Sequence, residues 1–483
     1  MKKKIKRYLT EKRLVTLIII LSLIVIILPQ ALRYVSHKPI LAGQEGYYHT
    51  HVAEQIKDKG VFKYDEFITG GRAYIPNLYH IILAGLSFLM PVIVAAQLFS
   101  MLLGVISLLL FNSLLKRFKA RIEIRFLAVL ILILSPIFIN SFTIPKINAL
   151  AVVLVLLGFY LFSIDKKLSF IASIVVCSLI PFLGIYHAFI MLIILGAYSM
   201  FKKTQKRFLI ICFILFTITT LYYAPAYLSL GIPEKAEFVG RNLVKESLAD
   251  LGGMIGFGVF TIMLAVAGLI YTWRNKKKFA YFYLALAILL ISMMYSAQAN
   301  PYLNLVFSVM AAIGLARLMG MKWDLKLIRD LSVLVIAYGL LFSAVSYTIT
   351  ITNLEPGKSM TDSLYWLKSN SGEGEVVFSH YSRGFWIENM AERPVLMDSL
   401  FYPSQKINEK YNDSTVLFES RELKKAKAVL DKHSIDYIFI DKEMKQGLVW
   451  EQEEEGLLFL FRNNETFNNI YNHTGIEIWK IKR

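Results

Sequence analysis

Leu14-Val-Thr-Leu-Ile-Ile-Ile-Leu-Ser-Leu-Ile-Val-Ile-Ile-Leu-Pro-Gln-Ala-Leu32 is a nearly continuous apolar run, and the polar stretch Gly43-Gln-Glu-Gly-Tyr-Tyr-His-Thr-His51 follows it. A helix of about 17–25 apolar residues crosses a bilayer, whereas the apolar core of a signal peptide is shorter. The run ends in Pro29-Gln30 without a small-x-small cleavage pattern, so it reads as a retained first span behind the basic Met1-Lys-Lys-Lys-Ile-Lys-Arg7. The polar stretch then places one carboxylate, two histidines and two tyrosines where that helix leaves the lipid.

Working outward, further apolar runs lie near residues 92–115, 126–144, 147–163, 168–184, 186–201, 208–226, 254–273, 279–297, 301–320 and 331–352. Together they predict about eleven spans. The composition agrees: of 483 residues, 56% are hydrophobic, and the mean hydropathy is +0.53. This is a polytopic membrane protein, not a soluble domain of ordinary composition. The net charge of +18 raises the question of nucleic acid, but its distribution answers it. Residues 1–352 hold 36 Lys+Arg against 14 Asp+Glu, while residues 353–483 hold 17 against 21. The basic excess sits in short connections such as Lys116-Arg117, Lys202-Lys203 and Lys276-Lys277-Lys278. That is the positive-inside pattern of a membrane protein, and no nucleic-acid footprint remains. Cys177 and Cys212 both lie in apolar runs and imply no disulfide framework.

Placing the N-terminus in the cytoplasm puts these basic connections on one side, and an odd number of spans sends residues 353–483 outside. The expected fold is therefore a polytopic α-helical membrane domain, residues 1–352, followed by a small extracytoplasmic α/β domain, residues 353–483, in the plasma membrane. Two outer connections are long, 33–91 and 227–253, and sites favour long loops held by a rigid scaffold. The second of them carries Glu234, Glu237, Arg241, Lys245 and Asp250. In the first, Gly46–Lys59 reads as an amphipathic surface helix stopped by Gly60, and Leu78–Met90 as an apolar helix too short to span. Beyond Glu355-Pro-Gly357, helical patterns at Asp362–Lys368 and Arg421–Lys432 alternate with strand patterns at Val376–Phe378, Pro394–Met397, Ile435–Ile440 and Ile476–Ile481. That alternation predicts a partly parallel sheet.

Several residues are candidates for chemistry. Glu45 stands at the lipid–water boundary, where a lipid-linked phosphate would present itself, although most loop carboxylates are simply solvated. His49 falls one turn from Glu45 and would orient it or pack the helix. His49 and His51 diverge on a helix and make no metal pair. Tyr47 and Tyr48 suit interfacial anchors as well as substrate contacts. Gly70-Gly71-Arg72 would bring a guanidinium to a phosphate or form a plain turn. Lys146 sits between two closely joined apolar runs, where a charge is costly unless used or wet, and His187 lies at a similar turn. Asp65 and Glu66 read as loop solvation.

The segment Glu45-Gly-Tyr-Tyr-His-Thr-His51 resembles the first outer loop of the GT-C superfamily of membrane glycosyltransferases, particularly the catalytic subunit of archaeal oligosaccharyltransferase and the dolichyl-phosphate-sugar transferases. That family carries D-P-Y-Y-H-x-R there, so Glu45 stands at its aspartate, Tyr47-Tyr48-His49 match it and His51 falls on its arginine. His380-Tyr381-Ser-Arg-Gly384-Phe-Trp386-Ile387 and Ala391-Glu-Arg393-Pro-Val-Leu-Met-Asp398 are similar to its W-W-D-Y-G-x-W-I and A-x-R-x-x-x-x-D. The resemblance implies a glycosyltransferase that moves a sugar from a polyprenyl-phosphate donor, such as dolichyl phosphate, to an acceptor that is a protein, a lipid or a glycan. Two departures qualify it. The second outer loop, Asn140-Ser-Phe-Thr-Ile-Pro-Lys146-Ile-Asn148, lacks the acids that share a divalent metal with the first-loop acid, and W-W-D, which reads the acceptor sequon, becomes His380-Tyr381-Ser382. A lone carboxylate is a poor site for a hard divalent cation, so the expectation is metal-free catalysis without a cofactor. Glu45 would be the base of an inverting displacement, Lys146, Arg72 and His51 would hold the donor phosphate, and His49, Tyr47, Tyr48 and His187 would orient groups or touch substrate. A non-catalytic relative that binds lipid-linked glycan is one alternative. A membrane transporter is the other, although the charged groups collect toward one side and not at mid-membrane.

Overall fold

In the computed structural model the described residues are 10–230, 236, 247–249, 255–274, 276–401, 406–452 and 454–482. Glu234, Glu237, Arg241, Lys245 and Asp250 of the second long loop lie outside them. The first helix, α1 (Glu11–Val35), starts at Thr10, whose hydroxyl accepts from the Arg13 amide, and has Glu11 in its first turn. Both features stabilise a helix N-terminus. Its buried stripe, Leu14, Ile18, Ser22, Ile26 and Pro29, recurs every three or four residues. That face meets α4, and the opposite face, with Ile20, Ile24 and Ile27, is exposed.

After α1 come two short helices, α2 (Glu45–Lys59) and α3 (Leu78–Leu86), with the strands β1 (Tyr64–Asp65) and β2 (Arg72–Ala73) paired antiparallel between them. The apolar helices are α4 (Val92–Arg117), α5 (Ile122–Ile133), α6 (Pro136–Thr143), α7 (Ile147–Phe162), α8 (Lys167–Leu179), α9 (Ile185–Lys202), α10 (Gln205–Leu230), α11 (Val259–Trp273), α12 (Lys276–Tyr295), α13 (Asn300–Gly320) and α14 (Lys326–Asn353). Helices α11 and α13 approach closely: a Cβ on Gly268 would lie 2.0 Å from the Met310 carbonyl oxygen, and one on Gly314 2.1 Å from that of Leu264. Only glycine lets two backbones meet this closely, the device that membrane helices use to gain dispersion contacts.

The span count differs from the sequence expectation. Among the described residues six helices are long and apolar enough to cross a membrane, or seven if α5 and α6, bent by 65°, count as one broken span, and not about eleven. The runs near 147–163, 168–184 and 254–273 form the shorter helices α7, α8 and α11, and among the described residues Phe282–Tyr295 of α12 is likewise a shorter apolar segment. A helix of 15 residues such as α11 reaches only about 22 Å at 1.5 Å per residue, against a hydrocarbon core of about 30 Å. Apolar length in the sequence therefore overstates helix length, because breaks lie inside the runs. Ser135 caps α6 by accepting from the Phe138 amide, with Pro136 in the first turn, and Pro181 opens a 3-10 turn after α8.

The C-terminal portion begins with α15 (Lys358–Asn370) and contains a four-stranded sheet of β3 (Val376–Phe378), β4 (Ile435–Ile440), β5 (Phe467–His473) and β6 (Ile476–Ile481), in the order β3-β4-β6-β5. β3 and β4 are parallel and the other pairs antiparallel. Pro394–Met397 supplies only isolated bridges, in which Val395 pairs with Val377 and Ile68. Alternation divides the side chains between two cores. Phe378, Ile438 and Ile440 pack with residues of α16 (Ile407–Glu419) and α17 (Leu423–Lys432). Val377, Tyr437 and Phe439 pack with α15 and, across the junction, with Leu41, Tyr47 and Ile68 of the long first loop. One apolar core thus joins the sheet to the loop that carries Glu45.

Candidate functional site

Glu45 is the first residue of α2, where the unpaired amides of a helix start favour a carboxylate. Lys146 is the N-cap residue of α7 and forms an ion pair with Glu45, the lysine side chain 16% exposed and the carboxylate 53%. The turn that presents Lys146 is held from behind. Gln30 of α1 and Gln97 of α4 each donate a 2.9 Å hydrogen bond to the Thr143 carbonyl, and Ser100 donates to that of Phe142. On the α14 side, Asn140 donates to the Tyr347 hydroxyl at 2.6 Å.

The approach to Glu45 is held as firmly. Arg33, fully buried at the end of α1, donates to six carbonyls: those of Pro39 and Leu41 in the approach and those of Ile351, Thr352, Leu354 and Pro356 at and just beyond the end of α14. The sequence shows only an arginine at the end of a span, the usual mark of a snorkelling cation. Gly43, at φ +69°, donates its amide to Glu355 at 2.7 Å and accepts from the Trp386 indole at 3.1 Å. Asn389 donates to the Tyr47 carbonyl and the Thr50 hydroxyl, and Ser399 to the Gln44 side chain. Residues of the C-terminal portion therefore set the turn that begins α2. Trp386→Phe is expected to keep the packed ring and lose the hydrogen bond, lowering thermal stability by about 1 kcal/mol in a melting experiment.

The other candidate residues are placed as follows. Tyr47 is buried and donates to the Leu41 carbonyl. Tyr48 packs on Phe385, with the Arg72 guanidinium over its ring. His49 shares a 2.8 Å hydrogen bond with His80 of α3, and His80 shares another of 2.8 Å with the Tyr74 hydroxyl. Burial, reinforced by the Lys146 charge, lowers the His49 pKa to about 3, so the ring is neutral. His80 was not singled out from the sequence; the available signal was an imidazole inside a short apolar helix. His51 faces Gln55 and Phe67, and burial lowers its pKa to about 4. Arg72 is tied to Asp65 and Asp398 and donates to the Leu400 carbonyl. A neutral imidazole and a guanidinium already paired with two carboxylates are not available cations, so of the three expected phosphate ligands only Lys146 is brought to Glu45. His187 is buried against the Tyr302 hydroxyl at 3.0 Å.

In the second motif, Tyr381 packs at a tilt against His380 and edge to face against Phe401. Gly384 leaves room for Asp398, whose Cβ would lie 2.6 Å from a Cβ added there. Arg393 donates to the carbonyls of Lys368, Ser371 and Glu392 and closes the end of α15. Between this motif and α14 lies a cavity of about 540 Å³, lined by Gly43, Gln44, Ile349, Thr350, Asn353, Leu354, Glu355, Ser382, Arg383, Trp386 and Glu443. It begins at the two residues that precede Glu45.

Among the described residues no three His, Cys, Asp or Glu side chains converge as metal ligands. At Glu45 the neighbour is an ammonium group, so the donor set does not fit a divalent cation.

No protein-family profile matches the sequence, and no curated protein matches it. The fold is similar to solved structures. The apo oligosaccharyltransferase of Archaeoglobus fulgidus aligns at TM-score 0.69 and 14% identity, over 99% of this chain and 75% of that one. The arabinofuranosyltransferase AftD from Mycobacteria aligns at TM-score 0.61 and 12% identity, over 98% of this chain and 40% of that one. ArnT from Cupriavidus metallidurans aligns at TM-score 0.57 and 10% identity, over 96% and 97% of the two chains.

Proposed function

We propose that this integral membrane protein is a glycosyltransferase of the GT-C type that moves a sugar from a polyprenyl-phosphate-linked donor to an acceptor hydroxyl. The observation that carries the proposal is the Glu45–Lys146 pair, a carboxylate and an ammonium presented together by two rigidly held turns. The similar folds support the donor class: the Archaeoglobus enzyme was solved with a dolichol phosphate and ArnT with undecaprenyl phosphate. The site faces outward and the N-terminus lies in the cytoplasm, as the basic connections indicate.

In this mechanism Glu45 takes the proton of the acceptor hydroxyl as its oxygen bonds to the anomeric carbon. The bond from that carbon to the phosphate oxygen breaks on the opposite face, inverting the configuration and releasing polyprenyl phosphate. Lys146 moves from Glu45 to the leaving phosphate, whose growing charge it stabilises. His49, neutral and fixed by His80, holds the first turn of α2 against α3. The Archaeoglobus enzyme was also solved with Zn and sulfate; here no step runs through a metal, since the residues around Glu45 do not suit one.

The test uses membranes carrying the full-length protein and their own polyprenyl-linked sugars, charged with a radiolabelled sugar. Lys146→Gln is expected to lower transfer by about 10²–10³-fold with the donor still bound, Lys146→Arg to restore part of it, and a chelator to leave the wild-type rate unchanged. Full transfer by Lys146→Gln, or its loss on chelation, would contradict the mechanism.

A further inference from the structure

We propose that the acceptor is itself a membrane amphiphile with an uncharged, hydroxyl-bearing head group, bound with its head in the cavity beside Glu45 and its tail along α14. The inference rests on the transferase reading and adds the class of acceptor to it. The cavity is lined from two sides of different chemistry. Ile349, Thr350, Asn353 and Leu354 come from the end of α14, and Gln44, Glu355, Ser382, Arg383, Trp386 and Glu443 from the loops above it. Ile349 is 52% exposed and tops an exposed apolar stripe on α14 formed by Leu334, Tyr338, Leu341 and Val345. These positions recur at the helical period and so form one continuous face. An acyl or prenyl tail lying on it leads from the lipid directly to the cavity.

The charges in the cavity select the head group. Its cation, Arg383, is already engaged by Asp441, Glu443 and the Ser382 hydroxyl, and Glu355 and Glu443 add two carboxylates to the lining. A phosphorylated head would meet net negative charge with no available cation among the described lining residues, and its desolvation would go uncompensated. Hydroxyl groups, in contrast, find the polar side chains of Gln44, Thr350, Asn353 and Ser382 in the lining. The leaving phosphate of the donor is stabilised by Lys146, the ion-pair partner of Glu45, so the two substrates carry opposite requirements.

The experiment charges membranes carrying the full-length protein with radiolabelled sugar, treats them with mild acid to cleave glycosyl phosphates, and divides the remaining label among organic-soluble lipid, protein and water-soluble glycan. Glu45→Gln membranes serve as the blank. The expected result is Glu45-dependent, acid-stable label in the lipid fraction, reduced at least tenfold by Ile349→Lys. Thr350→Trp, which fills the cavity without placing a charge in lipid, should give the same loss and serves where Ile349→Lys does not fold. Glu45-dependent label in protein or water-soluble glycan overturns the amphiphile acceptor and leaves the transferase reading standing. The same follows if both folded variants transfer to lipid at the wild-type rate. Absence of Glu45-dependent label from every fraction defeats both.

Discussion

Glu45→Gln is expected to abolish sugar transfer, with a fall of about 10²–10⁴-fold in rate, the usual contribution of a positioned general base. Glutamine keeps the shape of the side chain and the start of α2, and removes only the charge and the ability to accept a proton. The carboxylate is about half exposed, so losing its ion pair with Lys146 costs at most ~1 kcal/mol of stability. The variant should therefore express, melt close to the wild type and retain donor lipid. The loss should fall on turnover at saturating donor and not on donor binding. Glu45→Asp should recover part of the rate, because the base is preserved but displaced by one methylene. A Glu45→Gln protein that transfers sugar at the wild-type rate would remove Glu45 from the mechanism.

Lys146 is legible in the sequence as a charge between two joined apolar runs, where charge is expensive, whereas Glu45, a half-exposed carboxylate, stands out only through the resemblance of its segment to the GT-C first loop. Arg72 and His51 differ from Lys146 in this respect. Their roles depend on partners that linear proximity does not show. Arg72 binds Asp398, 326 positions away, and from Gly70-Gly71-Arg72 alone a phosphate ligand and a structural arginine look alike. Arg33 is not legible in the same way, because four of its six carbonyl partners, those of Ile351, Thr352, Leu354 and Pro356, lie in one segment far along the chain. The spans show a parallel limit. Hydropathy reports that a segment avoids water, but α5, α6 and α7 avoid it largely by packing inside the bundle, and the Ser135-Pro136 cap that divides one run into two helices is a local signal that length counting ignores. The C-terminal strands at Ile435–Ile440 and Ile476–Ile481 are plain in the sequence from their short runs rich in isoleucine and aromatic residues. The strand Phe467–His473 is not, because its burial pattern is mostly intermediate or exposed and its sequence, with Asn468, Asn469 and Asn472, is polar.

Arg72→Leu is expected to be the most destabilising single change at the junction between the first loop and the C-terminal portion. The guanidinium is buried between Asp65 and Asp398, and Glu388 lies fully buried beside them. Burial and the charges of Asp398 and Asp65 raise the Glu388 pKa well above the ordinary carboxyl range, although Arg72 opposes the shift. Removing one partner of a buried ion pair typically costs about 3–5 kcal/mol, because the remaining charge is left unpaired in a desolvated site. Without Arg72, protonation of the orphaned carboxyls is the remaining relief, so the deficit should shrink as the pH is lowered toward 5. Arg72→Leu combined with Asp398→Leu should recover part of the loss. Glu388 gives a separate test with a defined sign. A carboxyl whose folded pKa is raised contributes stability below its unfolded value, near 4.5, and that contribution is lost as the pH rises through the folded value. Across that window the wild type should lose up to ~1.4 kcal/mol per pH unit from this group. Glu388→Gln, nearly isosteric with the protonated acid, removes the loss, so it should match the wild type near pH 4.5 and melt higher at pH 7–8. Melting curves of the detergent-solubilised proteins between about pH 4.5 and 8 check both variants. A Glu388→Gln protein less stable than the wild type at pH 8, or an Arg72→Leu protein that melts normally there, would show that this cluster does not hold the two parts of the chain together as the buried charges imply.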